Sequence, residues 1–151
     1  MINEIDVQIL KILQKNSRTT NAEIARQIGM APSAVFERIK RLEKKKIIKK
    51  YTAEVNPEEV GKGLLAFIEV KANGPIVDQR TAKEIAKIPE VQEVHAVAGE
   101  DCYFVKVRVM NTAELTKLLR TKFALIKSIG STRTTIVLET IKETMEINFE
   151  F

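Results

Sequence analysis

Several residue types and patterns are scarce in this sequence of 151 residues. It has one cysteine, one histidine and no tryptophan, and a single cysteine cannot form an internal disulfide. No apolar stretch approaches the roughly 20 residues that span a membrane, and residues 1–10 lack the pattern of a signal peptide. The sequence has neither a phosphate-binding glycine loop nor the spacing of metal ligands. We therefore expect a cytoplasmic protein that uses no metal and no cofactor.

One group of residues invites comparison with a catalytic site. His95 and Cys102 lie close in sequence across a predicted hairpin, with Glu100 or Asp101 nearby. A thiol nucleophile needs an imidazole within hydrogen-bond reach and a third group that orients it, which adjacent strands allow. The lone histidine and cysteine nevertheless sit in runs of strand-forming residues, where a structural role is more common. We therefore predict that the protein is not an enzyme.

Basic residues are concentrated in the first part of the chain. The net charge is +5, and residues 31–50 hold eight basic side chains against two acidic ones. Such a density suits contact with phosphate groups. A lysine run can also be no more than a solvated face, and for residues 44–46 alone that interpretation is preferred.

The apolar content of 44% allows one domain or two small ones.

The segment from Thr20 to Leu42 has the spacing of a DNA-binding helix-turn-helix. Gly29 can adopt the left-handed backbone that ends one helix, Ala25 allows a close approach of the next, and Val35 suits its buried face. Further apolar residues repeat at helical spacing: Ile24, Ile28, Ile39 and Leu42. A helical hairpin in a bundle could use the same glycine turn and the same apolar stripe, so both interpretations stay open here.

Capping signals predict where these helices begin. Asn3 can cap a first helix over residues 3–15. Thr20 and Glu23 have the pattern of a capping box at the second helix, and Pro32 suits the first turn of the third. Three helices complete a DNA-binding unit of this kind.

The domain boundaries follow from the breaks in this pattern. Residues 48–55 suggest a short extended segment, a wing or an edge strand, and proline and glycines then interrupt the chain over residues 57–63. We expect a winged-helix-like helix-turn-helix domain over residues 1–56, a hinge over 57–63 and a second domain over 64–151.

Strand-like runs and amphipathic helices alternate in the second domain. Residues 64–71, 91–98, 103–109 and 132–140 predict strands. Residues 81–88 and 115–126 predict helices. The order is β-α-β-β-α-β, the ferredoxin-like arrangement of an α+β domain with its helices on one sheet face.

The order of helix-turn-helix, hinge and ferredoxin-like domain resembles the Lrp/AsnC family of feast/famine transcriptional regulators. Four segments in register carry the resemblance over nearly the whole chain: residues 5–29, 38–61, 94–109 and 131–139. The resemblance implies regulation of transcription through double-stranded DNA, with amino-acid sensing by the second domain. It also implies a homodimer or a higher even-numbered oligomer such as an octamer, assembled through the C-terminal sheets and rearranged by the effector.

The candidates for DNA contact lie on and just beyond the third helix, off its buried stripe. They are Ser33, Ala34, Glu37, Arg38, Arg41, Lys44 and Lys45. Each arginine could bind guanine, although contact with phosphate is the preferred role. Phe36 could meet a thymine methyl, although packing is preferred. The family often has serine where Ala31 stands, so we expect a weaker cap on this helix.

The effector pocket, by resemblance, lies between dimers beside the turn that joins the second and third strands. The candidate residues are Gly99, Glu100, Asp101, Tyr103, Thr132, Thr134 and Thr135. An amino acid needs an acceptor for its ammonium and donors for its carboxylate. Cys102 stands where many relatives have a second acidic residue, and it cannot replace a carboxylate. A tight hairpin with solvated acids beside a threonine-rich strand is the competing interpretation.

Two other functions fit parts of the sequence. An architectural DNA-coating protein would use the same basic surface with little sequence preference, and charge alone does not separate it from a regulator. An amino-acid sensor that acts through protein partners is a third possibility, but it would leave the basic cluster without a role.

Overall fold

The computed structural model describes residues 2–74, 79–100 and 102–150. The chain forms two compact units. One contains the residues up to Glu54 together with those from Lys142 onward, and the other contains Val55–Ile141. The sequence pattern predicts that residues 142–150 belong to the C-terminal domain, whereas in the structure they group with the N-terminal helices.

Three helices form the N-terminal unit: α1 (Glu4–Lys15), α2 (Asn21–Ile28) and α3 (Pro32–Lys44). Their apolar stripes meet in one buried cluster, because residues three and four apart share a helix face. The cluster consists of Ile9, Leu10, Leu13, Ile24, Ala25, Val35, Ile39 and Leu42. The predicted spacing of the helix-turn-helix is confirmed.

The ends of these helices follow the local signals in most respects. Gly29 ends α2 with a φ of 70°, in the left-handed region that favours glycine. Ala31 caps α3 without a side-chain hydrogen bond, as expected. Thr20 accepts a hydrogen bond from the backbone N–H of Glu23, but the Glu23 carboxylate bonds instead to the Arg26 guanidinium, at 2.6 and 3.0 Å. Only half of the predicted capping box forms, because a two-pronged ion pair is the stronger interaction.

The chain after α3 departs from the prediction. Residues 48–55 form no strand, so the predicted wing or edge strand is absent from this segment. Ile48 packs against the helical cluster, and the Tyr51 hydroxyl lies 2.8 Å from Oε1 of Glu43. Side-chain contacts with the helices, rather than a partner strand, place this segment.

The second unit is a four-stranded antiparallel sheet with helices. The strands are β1 (Leu64–Ala72), β2 (Val91–Ala96), β3 (Tyr103–Val109) and β4 (Ile129–Ile136). The helices are α4 (Arg80–Ala86) and α5 (Thr112–Leu118), and a π-helical turn, Leu119–Phe123, continues α5. The sheet order β2-β3-β1-β4 confirms the ferredoxin-like arrangement.

The last strand lies earlier in the chain than predicted. The strand includes Gly130, next to a shift in register between Lys71 and Ala72 of β1. A Cβ at Gly130 would lie 2.6 Å from the Asn73 Oδ1 atom, so this close approach requires glycine.

The pairing of β4 with β1 ends soon after Ile136. The N–H of Val137 donates to the carbonyl of Leu65 at 2.9 Å, and β1 begins only one residue earlier, at Leu64. Leu138 beyond it is 99% exposed.

The helices cover one face of the sheet. Alternate residues of β1 and β3, such as Ile68 and Val105, are fully buried against Ile85, Leu115 and Phe123, because successive side chains of a strand point to opposite faces. On the other face, the rings of Phe67 and Phe104 stack with centroids 5.2 Å apart.

Candidate functional sites

The outward face of α3 is a continuous polar and basic surface. Its residues lie three or four positions apart, opposite the buried stripe of Val35, Ile39 and Leu42. The exposed residues on this face are Ser33, Phe36, Glu37, Lys40 and Lys44. The Lys40 Nζ lies 5.8 Å from the centroid of the Phe36 ring, which is within the range of a cation–π interaction. We call this set the α3 face.

Two arginines of α3 turn towards α1 instead. The Asp6 side chain is 4% exposed, and its Oδ1 atom lies 3.0 Å from Arg38 Nη1 and 3.2 Å from Arg41 Nη2. Burial raises the pKa of Asp6, but hydrogen bonds from the Asn3 backbone and from Arg38, together with the charges of Arg41 and Arg38, outweigh burial. The net effect is a pKa below the ordinary value of this carboxyl.

The predicted DNA contacts therefore fall into separate groups. Ser33, Glu37 and Lys44 lie on the α3 face, and Lys45 follows as the exposed cap residue of the helix. Ala34 is half-buried. Arg38 has a side chain that is 22% exposed, whereas the Arg41 side chain is 48% exposed. Both arginines pair with Asp6, but only Arg41 is also substantially exposed to solvent.

Sequence reasoning left one residue out of the predicted set. Lys40 lies in the middle of the α3 face, between Glu37 and Lys44. The signal was present, because Lys40 stands seven positions after Ser33 and four after Phe36, and such positions share a helix face.

The residues predicted to bind an effector are not gathered in one place within the chain. Gly99 and Glu100 are exposed in the turn between β2 and β3, whereas Tyr103 is 1% exposed. Asp101 lies outside the described residues. Val70 of β1 pairs with Tyr103 on one side and with Thr132 on the other. Two strand spacings, about 10 Å, therefore separate those two backbones.

The three threonines of β4 also divide between the two faces of the sheet. Thr132 pairs with Val70 and Thr134 with Ile68, both on the helix-covered side. Thr135 pairs with Phe67, on the side opposite the helices. Since neighbouring residues of a strand point in opposite directions, the hydroxyl of Thr135 does not converge with the other two.

A cleft of about 690 Å³ opens beside the end of β1 and α4. A hydrogen bond of 2.7 Å between the hydroxyls of Thr81 and Ser128 lies among its lining residues, together with Arg80, Lys122 and Lys127. Of the described residues that were predicted to bind an effector, none lines this cleft.

The histidine and cysteine of the second unit are in different surroundings. Nε2 of His95 lies 3.2 Å from Oε2 of Glu93, and the His95 side chain is 60% exposed. Cys102 is 7% exposed and belongs to the apolar core of the sheet. A thiol that packs in the core is not presented to a substrate, so this arrangement favours the structural interpretation of Cys102.

Neither a metal site nor a membrane span was found in the described part of the chain. The described His, Cys, Asp and Glu residues form no group of three or more that could hold a metal ion. None of the described helices has both the length and the apolar character needed to cross a membrane.

Two family models match successive parts of the chain. Residues 2–49 match a winged helix-turn-helix DNA-binding domain. Residues 65–147 match the Lrp/AsnC ligand binding domain, which covers more than half of the chain.

Similar proteins agree with these matches. The HTH-type transcriptional regulator FL11 of Pyrococcus furiosus is 39% identical over 97% of this chain and 96% of its own length. The leucine-responsive regulatory protein of Haemophilus influenzae is 36% identical over 95% of this chain and 87% of its own length. Among solved structures, transcriptional regulator NMB0573 of Neisseria meningitidis in complex with L-Met superimposes with a TM-score of 0.91 at 28% identity, covering 98% of this chain and 97% of that one.

The helix-turn-helix with its basic outward face and the ferredoxin-like domain thus occur together in the order in which those regulators have them. The chain belongs to the Lrp/AsnC family of transcriptional regulators, with a winged helix-turn-helix DNA-binding domain followed by a ligand-binding domain.

Proposed function

We propose that the protein is a sequence-specific transcriptional regulator that inserts α3 into the major groove of double-stranded DNA. The observation that carries this proposal is the α3 face, which presents Ser33, Glu37, Lys40 and Lys44 to solvent on a helix packed from behind by an apolar cluster. A recognition helix of a helix-turn-helix contacts bases mainly through its first turns. A cytoplasmic location, in which a regulator of this family would reach DNA, is part of the same proposal.

The α3 face divides into two functional parts. Ser33 and Glu37 lie in the first half of the helix, where side chains reach base edges, and they carry the sequence preference. Lys44, at the end of the helix, and Lys45 contact phosphates, which orient the protein on DNA without reading its sequence. Lys40 lies between the two parts and also contacts the phosphates of the DNA backbone.

A homodimer or a higher even-numbered oligomer explains how one short helix achieves specificity. Two recognition helices related by a two-fold axis read half-sites about 34 Å apart, one turn of DNA. The sheet face opposite the helices supports such pairing, because it carries the stacked Phe67 and Phe104 rings beside the ion pair of Arg133 with Glu69. A second sheet would remove these rings from water.

The second unit binds an amino-acid effector at a site that a second copy completes. Within one chain two strand spacings separate the backbone of Tyr103 from that of Thr132, and Tyr103 is buried. Glu100 or Asp101 accepts the ammonium group, and backbone amides near Gly99 or threonine hydroxyls donate to the carboxylate. The effector changes DNA binding only if it binds one assembly more tightly than another.

Catalysis is not part of this proposal. The regulators named above are similar over nearly the whole chain, and the Cys102 thiol packs in an apolar core. The absence of enzymatic activity nevertheless stays a prediction.

Fluorescence anisotropy tests the DNA-binding part of the proposal. The full chain is titrated with DNA from upstream of its own gene and with scrambled DNA, in about 0.15 M salt. A preference of about 10³ or more for the upstream DNA is expected of a regulator. Equal affinities would contradict sequence specificity and favour DNA coating, and no binding to either DNA would contradict the DNA-binding role.

Two variants assign the parts of the α3 face. Lys44→Ala is expected to weaken binding to both DNAs alike and to reduce the salt slope by about 0.9 for each DNA-bound protomer. Glu37→Gln is expected to change the ratio between the two DNAs more than the salt slope. Lys83→Ala, an exposed position on α4, is the control for loss of one positive charge outside the interface. A Lys44→Ala variant that behaves like this control would remove Lys44 from the interface.

Isothermal titration with a panel of natural amino acids tests the effector. Loss of binding is expected in Glu100→Gln or in Asp101→Asn, with the oligomer intact by light scattering. Binding that is unchanged in both variants would move the site elsewhere.

A further inference from the structure

Asp6 is a charged residue in a place where a charge is costly. It lies in the first turn of α1, next to the apolar cluster, and its side chain is 4% exposed. A buried carboxylate is tolerated only when charged or hydrogen-bonding partners replace water. The partners of Asp6 therefore have to be accounted for.

Those partners come from two elements. Within α1, Asp6 completes a reciprocal capping box with Asn3. From α3, Arg38 donates at 3.0 Å, and Arg41 donates to both carboxylate oxygens at 3.2 and 3.3 Å. Arg38 Nη1 also lies 3.3 Å from the Asn3 Oδ1 atom. One carboxylate thus connects the start of α1 to two successive turns of α3.

Stability alone is a weak explanation for this arrangement. Replacing a buried ion pair by apolar side chains of similar volume is often neutral or stabilising, and the neighbouring cluster is apolar. An ion pair fixes the orientation of a helix better than apolar contacts do. Its directional hydrogen bonds restrict how α3 rotates about its own axis.

We infer that Asp6 is a positioning residue for DNA recognition, which acts by holding Arg38 and Arg41 against α1. This inference rests on the proposed function of the α3 face. Asp6 holds α3 in the rotation that presents Ser33, Glu37, Lys40 and Lys44. It also withholds the Arg38 guanidinium, whose side chain is 22% exposed, from the DNA phosphates.

Arg41 has a different part in the same arrangement. Its bonds to Asp6 use Nη2, its side chain is 48% exposed, and a guanidinium has five N–H donors. Arg41 therefore has donors available for a phosphate while Asp6 orients it. An arginine that is already oriented loses less side-chain entropy on binding.

The test compares Asp6→Asn with Glu4→Gln in the full chain. Glu4 is exposed in the same first turn of α1, so the control makes the same change of charge without releasing the arginines. Affinity for upstream and scrambled DNA is measured over a range of salt concentrations, and circular dichroism verifies that each variant is folded at the assay temperature.

Asp6→Asn is expected to reduce the ratio of specific to non-specific affinity by about tenfold. Binding to scrambled DNA is expected to be as strong as in the wild type or stronger, with a salt slope steeper by up to about 0.9 for each DNA-bound protomer, because each released Arg38 reaches one more phosphate. Loss of folding would instead weaken binding to both DNAs. A ratio and a slope equal to those of Glu4→Gln would overturn the inference.

A second variant tests the positioning role of Asp6 even where Asp6→Asn fails to fold. Arg38→Gln is expected to lower the specificity ratio as Asp6→Asn does, but without a change in salt slope, because Arg38 does not contact phosphate in the wild type. A slope that becomes shallower by about 0.9 for each DNA-bound protomer, with equal loss on both DNAs, would make Arg38 a direct phosphate contact and overturn the inference. A wild type without sequence preference would contradict the proposed function itself, before any variant is compared.

Discussion

The side-chain amide of Gln14 and the backbone of Ile147 exchange two hydrogen bonds of 2.9 Å each, across 133 positions of sequence. Nε2 of Gln14 donates to the carbonyl of Ile147, and the N–H of Ile147 donates back to Oε1. Two residues further on, Phe149 packs against the apolar cluster of the three helices. The end of the chain is thus an integral part of the unit that carries the α3 face.

This attachment makes Phe149 a contributor to the stability of the helices. Phe149→Ala is expected to lower the free energy of local opening by about 1 kcal/mol, because part of an aromatic side chain loses its apolar contacts. Hydrogen exchange should then show about fivefold weaker protection of α1 amides. Glu150→Ala, at an exposed position, is the control. Equal protection in the two variants would mean that the tail does not stabilise α1.

Lys46 is expected to limit the stability of the same unit. It follows α3 with a φ of 59°, and the N–H groups of Lys46 and Ile47 donate to the carbonyls of Glu43 and Leu42 at 2.9 Å each, the pattern in which glycine is preferred. Lys46→Gly should raise the free energy of unfolding by about 0.5–1 kcal/mol, since the left-handed backbone is unfavourable for lysine. Urea denaturation measures the change.

The adjacent residue supplies the matched control for this substitution. Lys45 has a φ of −79°, where glycine has no steric advantage, so Lys45→Gly should be neutral or destabilising. If Lys45→Gly and Lys46→Gly had the same effect, backbone strain at Lys46 would be refuted.

The ion pair of Glu90 and Lys122 is expected to make the second unit sensitive to acid. Lys122 Nζ lies 2.6 and 2.7 Å from the two Glu90 carboxylate oxygens, and its hydrogen bonds lower the pKa of Glu90 from its ordinary value of 4.5. Because the folded-state pKa is the lower one, this pair stabilises the fold above about pH 4.5 and the contribution is lost as the pH falls further.

Thermal unfolding as a function of pH measures this contribution. Glu90→Gln should lower the free energy of unfolding by about 0.5–1 kcal/mol at neutral pH and by progressively less below pH 4.5, since the Glu90 carboxylate of the wild type is then protonated. Glu84→Gln, which breaks the exposed pair with Lys87, is expected to change little. A constant difference between Glu90→Gln and wild type at every pH would rule out the ionic contribution.

Tyr51 is expected to ionise late. Partial burial, the hydrogen bond to Glu43 and the charge of that carboxylate raise the pKa of Tyr51 from 10.0 to about 12. Since the folded-state pKa is the higher one, the bond stabilises the folded chain below about pH 10 and its contribution is lost as the pH rises from 10 towards 12. Ultraviolet absorbance of tyrosinate follows the titration, and Tyr51→Phe identifies its signal. In Glu43→Gln the titration of Tyr51 should shift to lower pH. An unshifted titration would mean that Glu43 does not raise the pKa of Tyr51.

The parts of the fold that sequence predicted well depend on neighbours along the chain. The turn at Gly29 and the start of α3 at Pro32 were predicted because a left-handed φ and a missing N–H are local requirements. The strand Tyr103–Val109 was predicted to the residue, since its buried and half-buried residues alternate without interruption. The segment of residues 48–55 was predicted less well, because its alternation has no partner strand to pair with.

The candidate sites could be predicted only as sets of residues on elements. Helical periodicity placed Ser33, Glu37 and Lys44 off the buried stripe, and those positions do face solvent. It could not reveal that Arg38 turns to Asp6, which lies 32 positions earlier, because periodicity describes one helix and says nothing of a charge on another. The roles of these residues in DNA contact stay predictions.

Sequence alone determined the three helices, the order β-α-β-β-α-β and the concentration of positive charge near α3, because capping, periodicity and composition act over a few residues. Tertiary structure alone decided that Asp6 receives two arginines, that Gln14 receives the end of the chain, and that Thr132 and Thr135 face opposite sides of β4. Each of these depends on which distant segments meet, or on the register of a strand in its sheet, and a shift of one residue in that register reverses every side chain.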